Sequence, residues 1–284
     1  MTVPAPYRPD GVTRVVCDQL APLVGDLAHN EDLARDAVRR ALSDRADIVV
    51  LPELTTSGYV FADAEEARRT AIGADDPFFA GLTALLAGTA TVVVLGFCED
   101  AGDTLYNSAA VVDADGVRAV YRKTHLWDRE TLFFSPGQHM APVVTTPHGR
   151  IGVLICYDME FPEMPRQLAL AGADLIAVPT NWPLEDHPTG ERPAEIIQAQ
   201  AAARANGLYI ACADRGGTER GQQWTQGTAV IDQYGWITAS VTGTEHRIVT
   251  DLFLHLSREK ALSPHNDLLG DRRTDLYGQE SPLL

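Results

Sequence analysis

The sequence has 284 residues, of which 45% are hydrophobic. Its 39 acidic and 23 basic residues give a formal net charge of −16. A protein with this negative charge repels phosphate backbones, which argues against a nucleic-acid partner. No segment approaches the roughly 18 consecutive apolar residues of a membrane span, and the N-terminus lacks the apolar segment of a signal peptide, so we expect a cytoplasmic protein. The four cysteines, at positions 17, 98, 156 and 212, are too scattered for a disulfide framework.

Short, β-branched, apolar segments alternate along the chain with longer helical patterns. The strand predictions share a continuous apolar character, which is typical of strands covered on both faces. They are residues 12–17, 47–51, 91–97, 108–112, 117–121, 150–156, 174–179, 208–213, 227–231, 236–241 and 247–254.

Helical patterns lie between many of these strands. They are residues 30–46, 77–88, 162–171 and 191–206. Asn30 is the expected N-cap of the first helix, and Gly207 is the expected C-cap of the last. Asp115-Gly116 predicts a type I′ hairpin turn, and residues 233–235 predict a looser hairpin. Alternating strands and helices together with hairpins predict a layered α/β protein with mixed sheets, and no linker or repeat divides it.

Three reactive side chains follow the ends of three predicted strands. Glu53 follows the second predicted strand, Lys123 follows the fifth, and Cys156 ends the sixth, just before a helix. Ligands of α/β sheets bind outside the carboxyl ends of the strands, so these side chains converge if the strands are neighbours. Singly, each has a structural interpretation: a buried cysteine, a glutamate in a turn and a solvated lysine. The functional interpretation depends on the combination.

Cysteine, lysine and glutamate together supply what the hydrolysis of an amide needs. A thiol with a pKa of ~8.5 is mostly protonated at neutral pH, and a nearby ammonium group favours the thiolate. The ammonium group also stabilises an oxyanion on the attacked carbonyl, while a carboxylate moves the thiol proton to the leaving amine and then activates water. The sequence has no common phosphate-binding, dinucleotide-binding or zinc-binding motif, so we expect no cofactor and no metal.

Three sequence blocks resemble the carbon–nitrogen hydrolase (nitrilase) superfamily. They are LPELTTSGY from residue 51, YRKTHLWDRETLFFSPG from residue 121 and ICYDMEFPE from residue 155. The blocks occur in the family's order, and the resemblance extends from about residue 12 to the RRTDLYG segment near the C-terminus. It implies a four-layer α-β-β-α sandwich and assembly through helices that meet across a subunit interface.

The resemblance also implies a role for each of five residues. Cys156 matches the family's nucleophile, and Glu53 matches its general base. Lys123 and the backbone N–H of Tyr157 match the oxyanion hole, while Glu130 matches a second glutamate that holds the lysine and the substrate nitrogen. The implied reaction is hydrolysis of a small aliphatic or ω-amide to an acid and ammonia through a thioester.

Residues around the cysteine indicate an amidase-like branch of the family. Enzymes that act on nitriles usually have Cys-Trp-Glu here, whereas Cys156 is followed by Tyr157 and Asp158. Related amidases often have Arg where this chain has Glu160. If Glu160 faces the pocket, it disfavours ω-amides of dicarboxylic acids and favours neutral or cationic amides. The alternative is that Glu160 pairs with Arg166 outside the pocket.

Five further residues are candidates for the substrate pocket. Asn181 and Trp182 follow a predicted strand at the point where the family places a loop beside the active site. Tyr59, Phe133 and Phe134 are close in sequence to the two glutamates and are candidates for an apolar wall. Each of the aromatic residues also has a structural interpretation as part of the core.

Other functions remain open at this stage. An N-carbamoyl amine or amino acid amidohydrolase would use the same residues and release carbon dioxide with ammonia. A non-catalytic scaffold is the alternative from another class, although it would have no reason to retain Glu53, Lys123, Glu130 and Cys156. Hydrolysis of a nitrile is the least favoured reaction.

The expected organisation is a flexible N-terminal arm at 1–11, a carbon–nitrogen hydrolase domain at 12–262 and a C-terminal tail at 263–284. The tail is a candidate for the subunit interface. The Ala-rich helix at 191–206 and the helix after Cys156 correspond to elements that the family uses for dimerisation. We therefore expect a homodimer or a higher homo-oligomer, with a small-molecule amide as the ligand and no membrane partner.

Overall fold

Sixteen strands are present among residues 11–277, the part of the chain that the computed structural model describes. In chain order they are β1 (Thr13–Asp18), β2 (Ile48–Val50), β3 (Val92–Asp100), β4 (Leu105–Asp113), β5 (Gly116–Arg122), β6 (Val143–Thr146), β7 (Gly149–Val153), β8 (Leu175–Pro179), β9 (Tyr209–Ala213), β10 (Thr218–Glu219), β11 (Gln222–Gln223), β12 (Ala229–Ile231), β13 (Ile237–Ser240), β14 (Arg247–Leu252), β15 (Ala261–Ser263) and β16 (Asn266–Asp267). The helices are α1 (Leu27–Ser43), α2 (Ala64–Arg69), α3 (Pro77–Leu86), α4 (Glu163–Leu170), α5 (Ala194–Asn206) and α6 (Thr274–Tyr277), with short 3₁₀ helices at Asp128–Leu132, Cys156–Glu160 and Leu254–Arg258.

Two six-stranded sheets form the centre of this described region. The first has the strand order β14-β1-β2-β3-β4-β5, and the second has the order β13-β12-β9-β8-β7-β6. Strands β1, β2 and β3 are parallel in the first sheet, as are β7, β8 and β9 in the second, and the outer strands of both sheets pair antiparallel. The prediction of mixed sheets is confirmed.

The two sheets pack face to face, and each has a helical layer on its outer face. Along β2, Val49 packs towards α1 and α3, whereas Ile48 and Val50 pack into the core between the sheets. The outer face of the second sheet packs against α4 and α5. Because central strands are buried on both faces, their sequences are continuously apolar rather than alternating. The result is the four-layer α-β-β-α sandwich that the resemblance implies.

Helix α1 begins three residues before the predicted start. Its N-cap is Asp26, whose side chain accepts the backbone N–H of His29 at 3.1 Å, so the prediction of Asn30 as the cap is wrong. Asn30 is fully buried instead. Its side chain contacts the backbone of Leu23 twice, at 2.7 Å each, and the C=O of Thr56 at 3.2 Å. It therefore joins two loops that are distant in sequence.

Helix α5 ends where the sequence predicts, at a glycine in the left-handed region. Gly207 has φ of 60° and ψ of 45°, a conformation that costs a glycine little. The Nζ of Lys260 donates to the C=O groups of Asn206 at 2.9 Å and Gly207 at 2.7 Å. A cation at this position also interacts favourably with the helix dipole.

The turn between β4 and β5 is a hairpin, as predicted, but it is not of type I′. Asp113 pairs with Gly116 across the hairpin, and neither Ala114 nor Asp115 between them has a positive φ. A type I′ turn requires positive φ at both central residues. Here the positive φ, 118°, falls on Gly116 itself. The looser hairpin predicted at 233–235 joins β12 and β13.

Several short strands are absent from the sequence-based prediction. Strands β6, β10, β11, β15 and β16 have two to four residues each and are largely exposed or half-buried, so they lack the apolar run that identifies the longer strands. The strand predicted at 150–156 ends at Val153. Within residues 11–277, no helix is long and apolar enough to cross a membrane. The predicted arm at 1–11, except Gly11, and the last seven residues of the tail lie outside the described residues.

Candidate active site

Glu53 lies in the loop that follows β2, where its backbone contacts the second sheet. Its N–H lies 3.4 Å from the C=O of Thr180, and its C=O accepts the side-chain N–H of Asn181 at 2.9 Å. A Cβ added at Gly96, on β3, would lie 2.5 Å from the Cα of Glu53. The backbone of Glu53 therefore occupies this position only because residue 96 has no side chain.

Lys123 follows β5, and its fully buried ammonium group lies between two carboxylates. Its Nζ donates to Oε1 of Glu53 and to Oε1 of Glu130, each at 2.7 Å. Asn107, on β4, donates its side-chain N–H to the same oxygen of Glu53 at 2.7 Å and accepts the backbone N–H of Lys123 at 2.8 Å. One buried cluster thus contains two carboxylates and one ammonium group.

Glu130 is fixed by three donors besides its place in a 3₁₀ helix. Its Oε1 accepts the hydroxyl of Tyr59 at 2.6 Å as well as the ammonium group of Lys123. Its Oε2 accepts the backbone N–H of Trp127 at 3.3 Å. Tyr59, a predicted pocket residue, is therefore part of the charged cluster through its hydroxyl group.

Cys156 begins a 3₁₀ helix with φ of 47°, a region that non-glycine residues rarely adopt and that needs support from the surroundings. The buried carboxylate of Asp158 provides that support. It accepts the backbone N–H of Ile155 at 3.3 Å and the hydroxyls of Tyr121 at 2.8 Å and Thr124 at 2.9 Å. The turn that presents the thiol is thereby fixed to the end of β5.

His125 completes this connection between the cysteine turn and the lysine loop. Its backbone N–H and its Nδ1 lie 3.0 Å and 2.8 Å from Oδ1 of Asp158, and its ring stacks on Phe161 with centroids 3.7 Å apart. A carboxylate only accepts hydrogen bonds, so Nδ1 carries the proton.

The sequence predicts that Glu53, Lys123 and Cys156 converge if the strands that precede them are neighbours. In the structure these strands are not neighbours. Strands β3 and β4 separate β2 from β5, and β7 belongs to the other sheet. Two successive antiparallel pairings, β3 with β4 and β4 with β5, leave β5 parallel to β2. The carboxyl ends of both strands therefore lie at one edge, and the long lysine side chain spans the gap.

Burial dominates the protonation of the cluster. It raises the pKa of Glu53 from 4.5 to about 7 although the Lys123 ammonium group opposes the shift. Burial also raises the pKa of the Cys156 thiol well above its usual value; the Glu53 carboxylate raises it further, whereas Lys123 lowers it. Burial lowers the pKa of Lys123, but the carboxylates of Glu130 and Glu53 more than offset this and raise it well above its usual value. A neutral thiol therefore lies beside a charged ammonium group.

A small cavity of about 80 Å³ opens beside Cys156. Aromatic and acidic side chains share its walls: Trp127, Tyr157, Trp182, Glu160, Glu185 and Glu195. Of the predicted pocket residues, Trp182 and Glu160 line this cavity, whereas Asn181 is buried behind it with its amide on the backbone of Glu53.

Glu160 is half-buried at this cavity rather than paired with Arg166. The guanidinium group of Arg166 donates to the C=O of Ala205 at 2.8 Å. Among residues 11–277 it forms no ion pair with Glu160, although both residues also line the groove between α4 and α5. Burial raises the pKa of Glu160, and the carboxylates of Glu195 and Glu185 raise it further. The mouth of the cavity is acidic.

A second cavity, of about 250 Å³, lies next to the first and has Trp127 and Pro183 in common with it. Tyr59, Phe133 and Phe134 line this second cavity rather than the one beside Cys156. The three predicted wall residues are thus together, but they face the side of the cluster that carries Glu130.

Sequence reasoning missed four polar residues that fix the site. Asn107 and Asp158 hold the cluster and the cysteine turn, as described above. Asp214 accepts the backbone N–H of Trp182 at 3.0 Å, and Glu219 accepts that of Tyr59 at 3.0 Å. One signal was available: Asn107 and Asp214 are polar residues within or directly after apolar strands. No group of three or more His, Cys, Asp or Glu side chains in the described region is arranged to hold a metal ion.

Residues 14–259 match the family model of the carbon–nitrogen hydrolases. A protein named nitrilase from Pyrococcus abyssi is 34% identical over 271 residues, which cover 94% of this chain and 99% of the relative. An (R)-stereoselective amidase from Pseudomonas sp. is 33% identical over 264 residues, covering 93% and 92%. An N-carbamoylputrescine amidase from Arabidopsis thaliana is 30% identical over 272 residues, covering 89% and 90%.

Solved structures of an amidase from Nesterenkonia show the same fold. A mutant of the Nesterenkonia AN1 amidase from the nitrilase superfamily is similar with a TM-score of 0.79 and 28% identity, over 94% of this chain and 97% of that one. A further mutant of that amidase, with the acetamide moiety of fluoroacetamide added covalently at the active-site cysteine, has a TM-score of 0.78 and 27% identity, over 96% and 98%. The chain therefore belongs to the carbon–nitrogen hydrolase family, in the amidase-like branch of the nitrilase superfamily, and is a hydrolase that acts on the carbon–nitrogen bonds of amides.

Proposed function

We propose that the protein is a cysteine-dependent amidase that hydrolyses a small aliphatic amide to a carboxylic acid and ammonia through a thioester on Cys156. The observation that carries the proposal is the buried cluster beside the thiol, in which Lys123 donates to both Glu53 and Glu130. Burying three ionisable groups together is costly, and such perturbed clusters are concentrated at catalytic sites.

Glu53 is the proposed general base. The thiol of Cys156 is protonated at neutral pH because burial raises its pKa, so attack on the amide carbonyl requires an acceptor for the proton. Oε2 of Glu53 is buried and has no hydrogen-bond partner within the described residues. A carboxyl group with a pKa of about 7 both accepts that proton and returns it. Glu53 then gives the proton to the departing nitrogen, the C–N bond of the tetrahedral adduct breaks, and ammonia is released while the acyl group remains on Cys156 as a thioester.

Lys123 and the backbone N–H of Tyr157 are the proposed oxyanion hole. When the sulfur attacks, the carbonyl oxygen becomes negatively charged, and the buried ammonium group stabilises this charge in a medium with little water. Glu130 holds Lys123 at 2.7 Å, so the ammonium group does not have to reorient. A water molecule that loses its proton to Glu53 attacks the thioester, and the carboxylic acid is released with the thiol restored.

The acidic mouth of the cavity supports a neutral or cationic substrate. Glu160, Glu185 and Glu195 line the cavity that contains Cys156, and a carboxylate on the substrate would meet these three like charges. This arrangement disfavours ω-amides of dicarboxylic acids. The volume of about 80 Å³ favours a short acyl group.

A second candidate is hydrolysis of an N-carbamoyl amine. The similarity to plant proteins named N-carbamoylputrescine amidase favours it, and the acidic cavity suits an N-carbamoyl diamine, whose second, free amine is a positively charged ammonium group. The reaction would use the same nucleophile and base but release carbon dioxide as well as ammonia. N-carbamoyl amino acids are less suited, since they carry a carboxylate.

Ammonia release by the purified protein tests the proposal. Three panels are compared: short aliphatic amides, ω-amides of dicarboxylic acids, and ureido compounds with and without a carboxylate. We expect turnover on the first panel, loss of turnover in Cys156→Ala and retention in Cys98→Ala, another buried cysteine. Mass spectrometry of rapidly quenched protein should show an acyl adduct on Cys156.

The outcomes of this assay separate the candidates. Carbon dioxide and ammonia from the ureido panel, with the amide panels silent, would favour the carbamoyl activity instead. Full turnover by Cys156→Ala would exclude the thioester mechanism. Silence of the folded wild type on all three panels would favour a scaffold.

We also propose a homodimer formed through the outer helices. A groove of about 790 Å³ lies between α4 and α5, and Ala201, Ala202 and Ala205 are in its wall; such small side chains allow the close approach of another helix. Small-angle scattering at micromolar concentration should give twice the chain mass of 30.8 kDa. The mass of a monomer would contradict the proposal.

A further inference from the structure

The short hairpin of β10 and β11 lies against the loop that carries Tyr59. The side chain of Glu219, in β10, accepts two consecutive backbone N–H groups of that loop with Oε2: Tyr59 at 3.0 Å and Val60 at 2.6 Å. These contacts join residues about 160 positions apart in the chain. Two N–H groups on one carboxylate oxygen fix the direction in which the loop leaves Gly58.

Glu219 is itself held by a buried arginine. Its Oε1 accepts Nη1 of Arg215 at 2.9 Å, and Nη2 of Arg215 donates to the C=O of Pro22 at 2.8 Å. The guanidinium group lies over the ring of Trp224, 4.6 Å from its centroid, and the Trp224 ring packs edge-on against Tyr59 at 5.5 Å. Arg215 and Glu219 are both buried. The Arg215–Glu219 pair therefore fixes the loop in two ways. Glu219 binds the loop backbone, and Arg215 contacts Trp224, which packs against the Tyr59 ring.

The hairpin and the loop approach each other closely at Gly58. Gly58 has φ of 76°, and a Cβ there would lie 2.7 Å from Oε1 of Glu219 and 2.4 Å from the Cα of Val24. Only a residue without a Cβ therefore allows the loop to approach Glu219 and Val24 this closely. Together with the two hydrogen bonds to Glu219, this close approach fixes the position of the Tyr59 backbone.

Tyr59 connects this support to the charged cluster. Its hydroxyl donates to Oε1 of Glu130 at 2.6 Å, and that same oxygen accepts Nζ of Lys123 at 2.7 Å. A shift of the Tyr59 backbone changes the direction of this hydrogen bond and leaves Glu130 held only by the N–H of Trp127 and by Lys123. The Glu130 carboxylate, and with it the Lys123 ammonium group, would then be less firmly oriented.

We propose that Arg215 and Glu219 are positioning residues for the amidase reaction, which act by holding Tyr59 so that its hydroxyl orients Glu130 and, through it, Lys123. This inference rests on the proposed function because it concerns the placement of the oxyanion-stabilising ammonium group. Neither residue is among those that line the cavity beside Cys156, so their effect on substrate binding is small and their effect on turnover is large.

The chain offers a matched control on the same loop. Arg220 and Glu66 form an ion pair at 2.6 Å, Arg220 donates to the C=O of Val60 at 3.0 Å, and Glu66 accepts the N–H of Ala62 at 2.7 Å. This pair holds residues 60–62 but contacts neither the backbone nor the hydroxyl of Tyr59. It is also more exposed than the Arg215–Glu219 pair.

A double-mutant cycle tests the proposal. The variants are Tyr59→Phe, Glu219→Gln, the double variant and the control Glu66→Gln, each with kcat and KM measured on an amide that the wild type hydrolyses. Since hydrogen bonds to charged groups contribute more than neutral ones, we expect each of the first two variants to lower kcat about 10- to 100-fold, with KM changed less than about threefold. The double variant should be no slower than Tyr59→Phe within about twofold, because both changes remove the same hydrogen bond. Glu66→Gln should have wild-type kcat.

Alkylation of Cys156 by iodoacetamide gives a second readout that does not require amide hydrolysis. Tyr59→Phe and Glu219→Gln should change the pH profile of this reaction in the same way, and Cys156→Ala supplies the background. Far-ultraviolet circular dichroism and thermal unfolding check the fold of each variant. If Glu219→Gln does not fold, Arg215→Lys, which keeps the charge but loses one of the two guanidinium contacts, takes its place in the cycle.

Three results would overturn the inference. The first is wild-type kcat in a folded Glu219→Gln or Arg215→Lys variant. The second is a fold-decrease in the kcat of the double variant that equals the two single fold-decreases multiplied together. The third is an equal loss in Glu66→Gln, which would indicate a general effect on the loop. A wild type that reacts with iodoacetamide at Cys156 but hydrolyses no amide would instead contradict the proposed function, and the pH profiles would still decide the positioning role.

Discussion

Two fully buried carboxylates, Asp158 and Glu53, lie near Cys156, and they differ in how many of their oxygens accept hydrogen bonds. Asp158 accepts hydrogen bonds on both oxygens from five donor atoms on Tyr121, Thr124, His125 and Ile155. Glu53 accepts from Lys123 and Asn107 on Oε1 alone, and its Oε2 has no partner among the described residues.

The difference indicates a division of work between the two groups. A carboxylate that accepts hydrogen bonds on both oxygens holds the neighbouring donors in place. A buried carboxylate with a free oxygen is less stabilised as an anion, and burial raises the pKa of Glu53 to about 7. Glu53 is therefore suited to proton transfer, and Asp158 to fixing the turn that presents the thiol.

The largest expected effect is that of Glu53→Gln. An amide accepts no proton at neutral pH, so the base is lost, and we expect kcat to fall by about 10³-fold or more, near the upper range for general acid–base catalysis. The fold should persist because the amide oxygen still accepts the Lys123 hydrogen bond. Steady-state ammonia release and thermal unfolding measure the two quantities. Activity within tenfold of the wild type would remove the distinction between the two carboxylates.

Asp158→Asn should lower the stability of the protein more, and its kcat less, than Glu53→Gln does. The amide nitrogen would face donors that now lack an acceptor, and leaving buried donors unsatisfied costs about 2–4 kcal/mol of unfolding free energy. We expect kcat to fall much less than in Glu53→Gln, by about tenfold, because no proton passes through Asp158. Urea unfolding beside the activity assay makes the measurement, and Asp36→Asn, at the exposed Arg39 pair on α1, is the control for loss of a carboxylate elsewhere. An unchanged stability in Asp158→Asn would contradict its structural role.

The parts of this site that the sequence predicts are those with a local signal. Glu53, Lys123 and Cys156 follow strands whose apolar continuity arises from burial on both faces, and the structure brings their loops together with Glu130. Even so, the assumption that the strands preceding these three residues are neighbours was wrong. The order of strands within a sheet depends on which segments pair, and a single sequence contains no signal for that.

The residues that the sequence does not predict act over long separations. Glu219 contacts the loop of Tyr59 from about 160 residues away, and Asp158 contacts His125 from 33 away. Asn30 has the chemistry of an N-cap, yet tertiary contacts bury it and move the cap to Asp26. Polar side chains have several partners of equal local merit, so only the fold determines which one they take.

The pH dependence of activity sharpens the comparison further. The base must be deprotonated, so kcat/KM should fall as the pH decreases below about 7, the pKa to which burial raises Glu53. The effect on stability has the opposite sign. The folded state holds this proton more tightly than the unfolded state, whose pKa is near 4.5, so the contribution of Glu53 is greatest below pH 4.5 and is lost as the pH rises to about 7. Unfolding free energies of the wild type minus those of Glu53→Gln isolate this slope. A difference that is flat from pH 4.5 to 7 would show that Glu53 is already ionised.

The smallest expected effect concerns Glu160, a third carboxylate near Cys156 that is only half-buried. It neither supports the turn, as Asp158 does, nor contacts the charged cluster in the way Glu53 does, so Glu160→Gln should leave kcat for a short neutral amide within about twofold. The charge of Glu160 acts on the substrate through partly hydrated surroundings. Removing this one like charge should therefore raise kcat/KM by of order tenfold for an ω-amide that carries a carboxylate. The same change should lower kcat/KM for an amide with an ammonium group. Glu65→Gln, on helix α2 and exposed, serves as the control with the same change of net charge, and equal shifts in both variants would assign the preference to the overall charge of the protein rather than to the cavity.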